Sequence, residues 1–244
     1  MVFELPLLGL TIGFISGLLG VGGGTLLVPA LLYVGYAIKD AIGISVIQMV
    51  FSSVFGSYLN YKRGSLPVRN GLFLGLGGLT GAQGSGLMVT LFSPLVLSNI
   101  FLFSVCFAIY KFFRTIPQSD KPEINSNIIL FIVGFFVGLI AISIGLGGGL
   151  YLIPILVGFM NYDIKKAISM SLFFIVFSSI SGFISLSSFG HVDYKVGLIV
   201  GVSSLVGVFF GIKSAHIIDK KLQKKLLLGL YVVILFLTIN KLYV

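Results

Sequence analysis

Apolar residues along this chain neither alternate with polar ones, as in a half-buried strand, nor recur on one face, as in a surface helix; they run on almost unbroken. The runs cover 5–19, 25–36, 41–61, 70–92 and 95–113, then 128–144, 151–159, 167–188, 196–212 and 226–240. Between them lie short clusters of Lys, Arg, Asp, Asn and Pro. A helix needs ~20 residues to cross the hydrocarbon of a bilayer. The runs 41–61, 70–92, 95–113 and 167–188 approach or reach that length, whereas 5–19 has 15 residues and 25–36 only 12. The pattern predicts an all-α, polytopic integral membrane protein.

The short runs flank one unusual stretch, Gly20-Val21-Gly22-Gly23-Gly24-Thr25, and its second copy, Gly145-Leu146-Gly147-Gly148-Gly149-Leu150. In each copy a proline, Pro29 or Pro154, follows the last glycine by five residues. Glycine costs about 1 kcal/mol relative to alanine within a helix, so three in a row mark a break. A shift of 125 superposes the two breaks and their prolines. One residue more brings Ala41 onto Ala167, Ser45 onto Ser171 and Ser52-Ser53 onto Ser178-Ser179, and likewise Gly56, Gly64, Gly71 and Gly81 onto Gly182, Gly190, Gly197 and Gly207. The chain is a duplication: a first repeat over 1–118, a cytoplasmic linker over 119–127 and a second repeat over 128–244. Each repeat reads as a broken hairpin (5–36, 128–159) followed by three spans (41–61, 70–92, 95–113 and 167–188, 196–212, 226–240). Gly9, Gly13 and Gly17, spaced four apart, form a face for close helix approach.

Charge chooses between two topologies. If each broken segment folds back as a hairpin, one side receives Lys62, Arg63, Arg69, Lys111, Arg114, Lys121, Lys165, Lys166, Lys213, Lys220, Lys221, Lys224 and Lys225, and the other Lys39, Lys195 and Lys241, 13 against 3. If each broken segment crosses once, the division is 8 against 8. Orientation follows the Lys/Arg asymmetry of short loops. The hairpin reading therefore gives two inverted repeats with both termini extracytoplasmic. No basic n-region precedes the first run, which reads as a retained segment.

Composition agrees: 57% hydrophobic, 9% charged, mean hydropathy +1.13, against roughly a quarter charged in soluble domains. The net charge of +9 belongs to loops, not to a nucleic-acid surface, since no basic stretch is interleaved with aromatics. The single cysteine, Cys106, excludes an intrachain disulfide and lies among apolar neighbours. Two histidines, one cysteine and scattered acids supply no catalytic or metal cluster, so neither enzyme nor cofactor is expected.

Irregular backbone at membrane depth is tolerated only where it is buried in protein or lines a wet cavity. Half-helix N-termini meeting at the midplane present N–H groups and a positive dipole end, which favour an anion. The candidate substrate-binding residues are Gly22, Gly23, Gly24 and Thr25, Gly147, Gly148, Gly149 and Leu150, with Ser45, Gln48, Ser52, Ser171 and Ser178 as polar groups of the adjoining spans; Ser53, Ser179 and Gln83 are further polar positions. His191 and His216 fall at segment ends and read as interfacial.

The stretch from Gly13 to Gly24 with Pro29, repeated from Gly138 to Gly149 with Pro154, resembles the TauE/SafE family of sulfite and sulfonate exporters, over nearly the entire chain. The resemblance includes Ala41-Ile42-Gly43-Ile44-Ser45 and its counterpart at Ala167 to Ser171. It implies a secondary transporter of small, sulfur-containing anions in the cytoplasmic membrane; with the two breaks meeting at the midplane, the expected mechanism is alternating access there. The first break has Thr25 where the second has Leu150, so the tips are not chemically equivalent. An anion channel and an accessory subunit of a larger complex are the competing readings. The partners expected are the anionic solute and the lipid bilayer; association into a homo-oligomer stays open.

Overall fold

The computed structural model describes residues 4–114 and 122–243. Part of the linker 119–127, and Met1-Val2-Phe3, lie outside the described residues, as do the side chains of Lys111, Arg114, Lys121 and Lys241. The described residues form helices without any strand: α1 (Glu4–Leu19), α2 (Gly24–Val34), α3 (Ile38–Lys62), α4 (Val68–Ala82), α5 (Ser85–Leu91), α6 (Pro94–Arg114), α7 (Asn127–Ser143), α8 (Gly149–Gly158), α9 (Ile164–Ser188), α10 (Tyr194–Ile217) and α11 (Lys220–Tyr243). Five stretches are long and apolar enough to cross a membrane: α3, α4 with α5, α9, α10 and α11. The protein is a multi-pass membrane protein.

Glycine sets which helices touch. Gly9 lies beside Val200, Gly13 beside Ser204 and Gly17 beside Val208, so α1 and α10 run the same way at backbone contact. In the other half Gly134 meets Leu74 and Gly138 meets Gly78, so α7 and α4 do likewise. A Cβ at any of these glycines would strike the neighbouring main chain, so the small-residue face is what permits the approach. α3 runs with α10, since Gly43 faces Val192 and Gly56 faces Val208. α4 with α5 runs with α9, since Gly71 faces Phe173 and Gly86 faces Ser185. Between α3 and α9 the sense is opposite. Gly43, near the start of α3, abuts His191 beyond the end of α9. Ser169, near the start of α9, pairs with Ser65 beyond the end of α3 at 3.3 Å.

Each glycine break turns the chain back. The Ile124 N–H, ahead of α7, donates to Met160 O, just past α8, at 3.0 Å. α7 and α8 therefore enter and leave at one end of the bundle, the end that carries Arg63, Lys165 and His216. α1 begins beside the first turns of α10, and α2 stops a few residues before α3, whose first turns lie by His191. That hairpin enters and leaves at the opposite end.

One expected element is different. The span expected over 70–92 is two helices, interrupted at Gln83-Gly84. Ser185 of α9 is inserted in the joint: its hydroxyl donates to Gln83 O at 2.7 Å and accepts from the Gly86 N–H at 3.0 Å. Ser181 donates to Leu79 O one turn earlier. A neighbour's hydroxyl that competes for ladder groups is a recognised cause of a helix break. Gln83 is thereby left exposed, away from the centre.

Candidate functional site

The breaks acquire their shape from backbone conformations reserved for glycine. Gly20 and Gly22 have φ of +67° and +76°, and Gly145 and Gly147 match them at +71° and +73°. Further on the two diverge: Gly148 stays left-handed at +88°, whereas Gly23 is right-handed. α2 starts at Gly24 and α8 at Gly149, one residue ahead of the expected Thr25 and Leu150.

The two breaks touch. A methyl placed on Gly22 would stand 3.3 Å from Gly147 Cα, and one on Gly24 or Gly149 would overlap the opposite break at Gly145 O or Val21 Cα. All eight residues from Gly22 to Thr25 and from Gly147 to Leu150 are buried. The amide N–H groups of Val21, Gly22, Gly23 and Gly24, and of Gly147, Gly148, Gly149 and Leu150, donate to no protein acceptor among the described residues. Buried N–H groups are nearly always paired. Here two sets of four converge without partners.

Each half also holds the other's break. The Ser171 hydroxyl of α9 donates to Gly20 O at 2.8 Å, and the Ser45 hydroxyl of α3 is shared between Ile42 O at 2.7 Å and Gly145 O at 3.3 Å. These two serines lie where the sequence puts them, but their hydrogens are committed to break carbonyls. Thr25 likewise donates to Gly22 O at 2.9 Å. Ser52 and Ser178 are buried and turn inward on their own helices, to Met49 O at 3.3 Å and Ile175 O at 3.5 Å, as Ser53 does to Val50 O. The Ser179 hydroxyl is buried without a partner.

Gln48 stands apart. It is fully buried, its amide lies against Gly23, and neither Oε1 nor Nε2 has a hydrogen-bond partner. The shift that superposes Ser45 on Ser171 places Gln48 on Phe174, whose ring covers Gly148 as Gln48 covers Gly23. Met49 and Ile175, equivalent in the same way, close around Gly22 and Gly147. Phe174, Met49 and Ile175 were not among the expected site residues, because apolar residues within apolar spans carry no signal of their own. The repeat register contained it: the partner of Gln48 could have been read directly. Gly20 and Gly145 were missed too, although theirs are the carbonyls that the serines hold. Among the described residues there is no cluster of His, Cys, Asp and Glu able to hold a metal.

Residues 5–238 match the sulfite exporter TauE/SafE family. Relatives include the probable membrane transporter protein YunE of Bacillus subtilis, 28% identical over 96% of this chain and 94% of that protein. A probable membrane transporter protein of Methanocaldococcus jannaschii is 29% identical over 91% of this chain and 88% of its own. A sulfite exporter TauE/SafE family protein of Arabidopsis thaliana is 29% identical over 54% of this chain and 31% of its own. No solved structure matches the chain. With its two touching glycine breaks and a match that runs through both halves, the chain belongs to the sulfite exporter TauE/SafE family, a family of membrane transporters.

Proposed function

We propose that this protein is a secondary transporter that carries a small, sulfur-containing oxyanion across the cytoplasmic membrane through a midplane site between its two breaks. The observation that carries the reading is the convergence of eight unpartnered, buried N–H groups with the unpartnered Gln48 amide. Successive N–H groups around left-handed glycines form concavities suited to anions, and the starts of α2 and α8 add the positive ends of two helix dipoles. A charged acceptor makes hydrogen bonds of about 1.5–3 kcal/mol each, enough collectively to offset loss of hydration without a buried Lys or Arg. Gly22, Gly23, Gly24, Gly147, Gly148, Gly149 and Gln48 hold the anion directly. Ser45 and Ser171 position the breaks; Thr25, Leu150, Ser52 and Ser178 shape their walls. The wall is polar on the Gln48 side and aromatic on the Phe174 side.

In this reading the halves are inserted in opposite senses, supported by the opposed directions of α3 and α9 and by hairpins that enter from opposite ends. Lys62, Arg63, Arg69, Lys165, Lys166, Lys213 and Lys220 belong to one end, and Lys39 and Lys195 to the other. The Lys/Arg-rich end faces the cytoplasm. Alternating access follows from two hairpins that open toward opposite sides around one shared contact.

The test is uptake of radiolabelled sulfite into proteoliposomes made with the purified full chain. Saturable uptake, accelerated by sulfite trapped inside and competed by thiosulfate or sulfonates, is expected. Flux that does not saturate and that shows unitary currents overturns the carrier in favour of a channel. A folded chain that moves no small anion overturns transport by the chain alone and leaves it an accessory subunit.

A further inference from the structure

Gln48 sets a condition on the ligand that the backbone does not. Its side chain is fully buried in α3, and neither Oε1 nor Nε2 has a hydrogen-bond partner. A Cβ on Gly23 would overlap the amide, Oε1 most of all, so the amide stands directly over the first break. A primary amide offers two hydrogens at one end and two lone pairs at the other. A fully deprotonated anion can satisfy only the hydrogens. Whichever way the amide is turned, one end is a buried oxygen that needs a donor, and such a group is costly to leave bare.

We propose that Gln48 selects the protonated form of the substrate: a monoanionic oxyanion that keeps one O–H, of the hydrogen sulfite type. The O–H donates to the Gln48 carbonyl while the charged oxygens accept from the N–H groups of the breaks. The proposal rests on the midplane reading for the place of the ion, and on the Gln48 acceptor for its proton.

The hydroxyls that lie against the breaks do not meet the need. Thr25 donates to Gly22 O, Ser45 to Ile42 O and Gly145 O, and Ser171 to Gly20 O. None of the break N–H groups bonds the amide either. The second break makes no such demand: Phe174 takes the place of Gln48 over Gly148, and a ring has no oxygen to satisfy. N–H donors on both sides with an unfilled acceptor on one side suit an ion of several acceptor oxygens and one hydrogen. Charge points the same way. Every Asp, Glu, His, Lys and Arg of the described helices lies in their first or last two turns, and the glycine-break ends of α1, α2, α7 and α8 carry none. Of the charged groups on α3, Lys39 and Asp40 are at its start and Lys62 at its end; Lys165 and Lys166 are at the start of α9. Tyr151, in the first turn of α8, donates its hydroxyl hydrogen to Ser104 Oγ, and Tyr33, Tyr58 and Tyr61 are exposed. With no cation at the breaks, one negative charge is far less costly to bury than two. With no acid there to lend a proton, the ion brings its own.

Competition binding to the purified full chain in detergent tests this, with radiolabelled sulfite displaced by methanesulfonate, which has the same single charge and no O–H. In mildly acidic buffer, where sulfite is mainly the monoanion, the unmodified chain should favour it over methanesulfonate by about tenfold or more. Gln48→Met, with neither donor nor acceptor, should cut that preference by about tenfold. On the unmodified chain, raising the pH beyond the second ionisation of sulfite should weaken its binding by about tenfold per pH unit, while methanesulfonate binding holds steady. A preference that Gln48→Met leaves unchanged, or a sulfite affinity that holds or rises with pH, overturns the proton selection and leaves the midplane site standing. If the unmodified chain binds neither anion, the midplane reading falls and the proposal with it.

Discussion

Gly149→Ala separates contact between the breaks from general stability. Gly149 opens α8 with ordinary helical backbone, so alanine there carries no φ strain and gains about 1 kcal/mol of helix propensity. Its Cβ, however, would stand 2.5 Å from Gly20 O and 2.7 Å from Val21 C, where ordinary contact begins at 3.4 Å. These, and Val21 Cα, which is closer still, are main-chain atoms of the opposite break and cannot swing aside, so the breaks must part by about 1 Å. Overpacking of this kind costs about 1–3 kcal/mol, which leaves a net loss of about 0–2 kcal/mol after the propensity gain. The larger consequence falls on the anion. Losing a single charge-assisted hydrogen bond, about 1.5–3 kcal/mol, weakens binding by about tenfold to a hundredfold. Gly35→Ala is the control: at φ +102° with open space around it, it costs about 1–2 kcal/mol of left-handed strain and never reaches the breaks. The two variants should melt within a few degrees of each other in detergent, yet only Gly149→Ala should lose sulfite uptake, by about tenfold or more. Equal uptake by the two at matched amounts of folded protein would refute the reasoning.

The cross-half serines give a stability prediction. Ser171→Ala leaves Gly20 O buried without its hydroxyl donor and should cost about 1–3 kcal/mol. Ser45→Ala should cost less, because its shorter bond goes to its own helix and only the 3.3 Å one to Gly145 O. Melting curves that place Ser45→Ala below Ser171→Ala would contradict this ranking. His191 gives a pH dependence. Burial first, then the Lys39 ammonium, hold its imidazole below the ordinary value of 6.5, with Asp40 acting the other way. The unfolded chain then takes up the proton first, so stability should fall as pH drops through 6.5 toward the lowered value. His191→Gln should lose that part of the drop in melting temperature between about pH 7.5 and about pH 5.5; an identical pH profile in the variant would exclude His191 as its source.

Much of this protein was legible in one dimension because a bilayer is a simple solvent. Unbroken apolar runs can only be helices there, since every backbone group must be paired within the span. Glycine in triplicate with a proline behind it can only be a break. The repeat of Gly20 to Pro29 at Gly145 to Pro154, and of Ser45 at Ser171, needed nothing beyond alignment of the chain with itself. What tertiary structure decided is whatever depends on two segments meeting. That the breaks lie against each other, that Ser171 holds Gly20 O while Ser45 holds Gly145 O, and that Ser185 splits the span expected over 70–92 are facts about pairs. Runs of similar apolar residues do not specify their neighbours. Partner choice came from glycine faces, Gly9, Gly13 and Gly17 on α10 and Gly134 and Gly138 on α4, where dispersion and close backbone approach, not hydrophobicity, discriminate one helix from another in lipid. Gln48 shows the same division: its polarity is written in the sequence, but only the approach of Gly23 makes its amide an unpartnered group at the centre of the protein.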